Sequence, residues 1–142
     1  MPMLTSAANA LTKSFPKVLS PKAHAIADYL TIGTFLVTAA LFWRRNKRAS
    51  MASALCGVTE LATNLLTDYP GGVKGIISFP MHGKIDIGLA AMIATMPEFM
   101  AFPREREKTF FLKQAALVTA VSNLTDFESH QHYSRKRPRR AA

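Results

Sequence analysis

The chain has 142 residues, a formal charge of +9, 49% hydrophobic residues and one cysteine, Cys56. One domain is the default at that length, and a lone thiol excludes an internal disulfide and a cysteine-rich metal motif. The basic residues form short clusters between apolar runs, "RRNKR" at 44–48, "PREREK" at 103–108 and "RKRPRR" at 135–140, which reads as charged joints between apolar helices and against a nucleic-acid surface.

Residues 1–19 are a polar N-terminal segment without the apolar stretch of a cleavable signal peptide. The first apolar run, Ala23 to Trp43, follows Ser20 and Pro21, an N-cap and a first-turn proline. At 1.5 Å per residue it reaches about 31 Å, close to a bilayer core of about 30 Å. The second run, Ser50 to Leu66, carries Glu60 and Asn64 and stops at "DYPGG" (68–72). The third, Ile85 to Phe102, carries Asp86, Pro97 and Glu98, and the fourth, Thr109 to Leu124, carries Lys113 and Gln114. Residues 128–142 form a basic tail.

These runs predict an all-α fold, a bundle of four transmembrane helices over 20–127. A soluble four-helix bundle is the alternative, but runs one and three lack a charged outer face. The expected setting is a bacterial cytoplasmic membrane, crossed several times, with both termini cytoplasmic because the tail is the densest basic block. The expected partners are the lipid bilayer and other membrane subunits or a second copy, with no nucleic acid.

Slid by 58 residues, the sequence matches itself: "SPKAHAIAD" (20–28) lies over "SFPMHGKID" (78–86), and "LTDY" (66–69) over "LTDF" (124–127). This predicts two tandem parallel helix-hairpin repeats, 20–69 and 78–127, related by a pseudo-twofold axis. His24 and Asp28 are one turn apart on a shared face, as are His82 and Asp86. Two-helix units bring Asp68 and Asp126 to the same end. The same inward face continues as Cys56, Glu60, Asn64, Asp68 on the second helix and as Gln114, Val118, Ser122, Asp126 on the fourth. The expected site is a polar cup of His24, Asp28, Asp68, His82, Asp86 and Asp126 narrowing past Asn64 toward Glu60, with Lys113 a candidate partner for Glu60.

Duplicated two-helix units with an Asp opening the first helix, as at Asp28 with Gly33 and Asp86 with Gly88 and Pro97, resemble the bacterial SPW-repeat membrane proteins. "MPE" (96–98) keeps only the proline of the name-giving motif, and "TAA" (38–40) keeps nothing. The resemblance implies a four-helix membrane domain and no assigned chemistry.

Two functions stay open. In one, the protein is a non-enzymatic membrane scaffold or accessory subunit without a cofactor, and the His/Asp groups tie helices together. In the other, the cup binds a metal through His24, Asp28, His82 and Asp86, a haem between the two His, or a transported ion or proton. "HQH" (130–132) is a weak metal motif, and no phosphate loop or nucleophile elbow is present.

Overall fold

The computed structural model describes residues 15–129; "HQH" and "RKRPRR" lie outside them. Among the described residues four helices form the fold: α1 (Pro21–Phe42), α2 (Lys47–Leu66), α3 (Phe79–Phe99) and α4 (Lys108–Leu124). Ser20 and Ser78 cap α1 and α3, their hydroxyls accepting from the Ala23 and Met81 amides at 3.2 and 3.4 Å, and a proline sits in the first turn of each. Asn46 caps α2 in the same way, accepting from Ala49 N–H at 3.1 Å.

Beyond α2 the chain turns extended. Strand β1 (Thr67–Asp68) pairs in parallel with β2 (Ile77–Ser78), Thr67 opposite Ile77. Leu19 makes a matching parallel bridge to Thr125, donating to Leu124 O at 2.9 Å and accepting from Asp126 N–H at 3.1 Å. These pairings fasten the starts of α1 and α3 beside the ends of α2 and α4. The turn after β1 passes so close that a Cβ on Gly72 would lie 1.7 Å from Thr67 O, so only glycine fits.

The apolar core fills the middle and far end of the bundle, with Phe35, Cys56, Ile93, Phe102 and Phe111 essentially inaccessible. Arg45 pairs with Glu107 and Arg48 with Glu105, both at 3.1 Å. The "RRNKR" cluster at that end is therefore tied to carboxylates inside "PREREK".

A bundle of four transmembrane helices is not what this fold offers. Among the described residues only α1 is long and apolar enough to cross a membrane, with mean hydropathy 1.7 over its best window, and 33% of that window is buried in the fold. At 17 residues α4 is short, and charged and polar side chains dilute α2 and α3, which hold Lys47, Arg48 and Glu60, and His82, Lys84, Asp86 and Glu98. The multi-pass location with cytoplasmic termini, the bilayer as partner, the membrane scaffold and the SPW-repeat reading lose their premise together.

Two tandem copies of one hairpin are not displayed either. The helices have 22 and 20 residues in the first half and 21 and 17 in the second. The links differ, 43–46 against 100–107, and the paired strands have only the single Leu19–Thr125 bridge as counterpart among the described residues. The 58-residue offset relates polar contacts at one end of the bundle rather than whole units.

Candidate metal centre

His24 and Asp28 occupy successive turns at the start of α1, and His82 and Asp86 do so on α3. All four are buried, at 0, 7, 0 and 4% exposure. The two Nε2 atoms are 3.2 Å apart. Each lies 3.3 Å from a carboxylate oxygen of both aspartates: His24 from Asp28 Oδ2 and Asp86 Oδ2, His82 from Asp28 Oδ2 and Asp86 Oδ1. One donor atom from each residue can be chosen so that all four lie within 4.8 Å of one another.

Two threonines set the imidazole tautomers. Thr125 Oγ1 lies 2.7 Å from His24 Nδ1, and Thr67 Oγ1 lies 2.8 Å from His82 Nδ1. Each hydroxyl already donates its one proton to the carbonyl four residues back, Thr125 to Val121 O at 2.6 Å and Thr67 to Thr63 O at 2.7 Å. The threonine oxygens can therefore only accept, and each imidazole donates from Nδ1–H. In the neutral rings that leaves both Nε2 atoms as lone pairs, directed at each other and at two carboxylates.

The carboxylates are also oriented. Tyr69 O–H donates to Asp28 Oδ2 at 3.0 Å, and Ser122 O–H to Asp86 Oδ2 at 3.1 Å. Burial, then the Asp28 carboxylate, push the Tyr69 phenol far above its usual range, which keeps it a donor. Phe79 and Phe127 stand edge-on to the His24 ring at 5.4 and 5.2 Å, and Tyr69 lies 5.2 Å from the His82 ring. Phe127 packs directly over Gly83, where a Cβ would be 2.7 Å from its ring.

The remaining expected site residues divide. Glu60 and Asn64 are buried at 5 and 0%. Burial, then the Asp28 and Asp86 carboxylates, push the Glu60 carboxyl up to about 8, and burial with Glu60 nearby pushes Cys56 up to about 12. Lys113 is exposed and is not the counter-charge to Glu60. Asp68 and Asp126 do not join the cluster. Asp68 is exposed, because in extended chain the side chains alternate and Thr67 takes the inward position. Asp126 Oδ1 caps the following turn, accepting from Glu128 and Ser129 N–H at 3.1 Å each. Sequence reasoning missed Thr67, Thr125 and Tyr69 as site residues. Their signal was present in "LTDY" and "LTDF", where the aspartates drew the attention.

A haem does not suit this arrangement. Axial ligation from opposite faces of one iron needs nitrogens about 4 Å apart, twice a metal–nitrogen bond of about 2.0 Å, against the 3.2 Å found. No family model, curated protein or solved structure matches the chain, so the functional reading rests on the geometry.

Proposed function

We propose that the protein binds one divalent transition metal, with zinc the best fit, through His24 Nε2, His82 Nε2, Asp28 and Asp86, in a closed structural site. The observation that carries this reading is the set of separations. The edge of a tetrahedron is about 1.63 times its centre-to-corner distance, so ligands at about 2.0–2.1 Å from zinc stand about 3.3–3.4 Å apart. Three of these edges are in place, between the two Nε2 atoms and Asp28 Oδ2 at 3.2–3.3 Å; Asp86 supplies the fourth corner, 3.3 Å from His24 Nε2 through Oδ2 and from His82 Nε2 through Oδ1, with one donor atom from each of the four residues within 4.8 Å.

Charge and ligand chemistry agree. Two buried carboxylates balance one divalent cation, whereas without a counter-charge they would be costly to bury. Imidazole with carboxylate suits zinc, and also iron or manganese. Nδ1–H bonds to threonine and donors to each carboxylate are the outer contacts that such ligands need. Four protein ligands with no exposed face mark a structural rather than a catalytic site.

A metal-free network of imidazolium–carboxylate bonds is the competing account. Such charge-assisted bonds are usually about 2.7–2.9 Å, shorter than the 3.3 Å seen at all four nitrogen–oxygen contacts. The test is elemental analysis of the purified chain, followed by chelator stripping and titration with zinc and cobalt(II). One metal per chain is expected, with the visible bands of tetrahedral cobalt and loss of both in H24A/H82A. A wild-type chain that takes up no stoichiometric metal would refute the reading.

A further inference from the structure

Beyond the His/Asp cluster, among the described residues, the buried side-chain atoms without a hydrogen-bond partner are Glu60 Oε2, both amide atoms of Asn64 and Gln114 Oε1. An unmade hydrogen bond on a buried group costs about 1–3 kcal/mol, so native folds keep few of them, and each calls for an explanation such as a bound water or ion. Three of the four belong to one pair of residues. Glu60 and Asn64 are one turn apart on the inward stripe of α2.

The offset of 58 sharpens the point. Asn64 corresponds to Ser122, which donates to Asp86 at 3.1 Å. The equivalent carboxylate, Asp28, instead takes its bond from Tyr69 at 3.0 Å. The Asn64 amide is thereby released from the metal cluster and left facing the interior at 0% exposure. Three of the four orphaned atoms are oxygens. The groups of like charge acting on Glu60 are Asp28 from α1 and Asp86 from α3; Lys113, the cation expected to pair with it, is exposed. Buried acceptors beside two carboxylates disfavour an anion and favour a cation.

We propose that Glu60 and Asn64 form a second, all-oxygen binding position for a hard monovalent cation, about one helical turn inside the His/Asp cluster. Oxygen donors without nitrogen or sulfur select hard ions over zinc. The valence follows from charge balance, which rests on the divalent-metal reading above. With Asp28 and Asp86 neutralised by one divalent ion, a single negative charge remains on ionised Glu60. A sodium-like ion cancels it, and a second divalent ion would leave an unpaired positive charge in the interior. The same ion accepts a lone pair of Asn64 Oδ1, which has no hydrogen-bond donor.

The test uses the full zinc-loaded chain, with thermal unfolding compared in sodium chloride and choline chloride at equal concentration. A sodium-specific rise in Tm of roughly 3–6 °C is expected, the response to a ligand well above its Kd. Sodium-23 relaxation gives a second readout that needs no variant. E60Q keeps the side-chain volume, and should abolish both the rise and the sodium-23 broadening while leaving zinc stoichiometry at wild-type level. Equal Tm in the two salts without broadening would mean that water or a proton satisfies Glu60 and Asn64, and would overturn the proposal. A rise that survives in E60Q, or one that appears only after zinc is stripped, would place sodium elsewhere and overturn it as well. Zinc stoichiometry is measured separately, so failure of the outer site is distinguishable from failure of the inner one.

Discussion

Thr67→Val is the most searching substitution, because it changes a tautomer without touching a proposed metal ligand. Thr67 is 1% exposed, and its oxygen is the acceptor for His82 Nδ1–H at 2.8 Å. Valine has nearly the same shape but cannot accept. With Nδ1–H kept, the ring would carry a buried unpaired donor at a cost of about 1–3 kcal/mol. The imidazole escapes that cost by moving its proton to Nε2, where Asp28 Oδ2 and Asp86 Oδ1 both lie at 3.3 Å. A proton on Nε2 occupies the lone pair that zinc needs. The metal-free protein should therefore lose little stability, while zinc affinity falls by about 10–100-fold, the usual effect of losing an outer-shell partner.

The assay pairs zinc competition against a chromophoric chelator with nitrogen-15 NMR of the histidine side chains, which reports the protonated nitrogen. Wild type and Thr67→Ser should show Nδ1–H at His82 and bind alike. Thr67→Val should show Nε2–H and bind weakly. Wild-type zinc affinity in Thr67→Val, with Nδ1–H retained, would show that the threonine does not set the tautomer and would remove a main support of the metal reading.

Other outcomes follow from the same geometry. In the metal-free chain the Glu60 carboxyl is raised from 4.5 to about 8, so the folded state holds a proton that the unfolded state releases. Stability should fall as pH rises from about 4.5 to about 8 and then level off, a loss on the order of a few kcal/mol; denaturant titrations across that range should show a flatter profile in E60Q, and an unchanged slope would contradict the assignment. Phe35→Ala removes a fully buried ring packed at 5.5 and 6.4 Å from Phe110 and Phe111, and should cost about 3–5 kcal/mol in equilibrium unfolding, with less than about 1 kcal/mol counting against the core described here. Gly72→Ala would drive a Cβ to 1.7 Å from Thr67 O, so β1 must move. Zinc affinity should fall with stability, and a variant that binds zinc like wild type would show that the turn does not position Thr67.

The parts legible in the sequence were those governed by local rules. The caps at Ser20 and Ser78, the helices they open and the i, i+4 pairing of His24 with Asp28 and His82 with Asp86 need only helical spacing. Inward placement of Glu60 and Asn64 follows from the same stripe. What was not legible depends on tertiary placement. Thr67 and Asp68 differ by one position in an extended strand, and which of them faces the histidine is set by pairing with Ile77. The apolar runs suggested lipid because composition cannot tell an apolar face against protein from one against a bilayer. The basic clusters suggested joints at a membrane surface, yet Arg45 and Arg48 are held by Glu107 and Glu105, which stand about sixty residues further along the chain.

The pattern of contacts also says what a metal here would hold together. Helices α1 and α2 pack along each other, as do α3 and α4, and contacts between the two pairs are fewer. Each histidine reaches across that weaker boundary. His24 on α1 bonds Thr125 beyond α4, and His82 on α3 bonds Thr67 beyond α2. The nitrogen–carboxylate contacts cross it as well, His24 to Asp86 and His82 to Asp28 at 3.3 Å. A metal at the centre adds four bonds that each pair supplies in half. Its removal leaves two carboxylates sharing a buried space with lone pairs, so the boundary should open before either pair of helices unfolds. Hydrogen exchange on zinc-loaded and chelator-treated protein should show the difference. Protection should fall at Ile76, bonded to Leu66 O at 2.7 Å, and at Leu19 and Asp126, where the starts and ends of the helices are fastened. Amides in the middle of α1 and α2 should change far less. Uniform loss across all four helices would mean that the metal supports the bundle as a single cooperative unit, and identical exchange in both states would mean that the cluster needs no ion to stay closed.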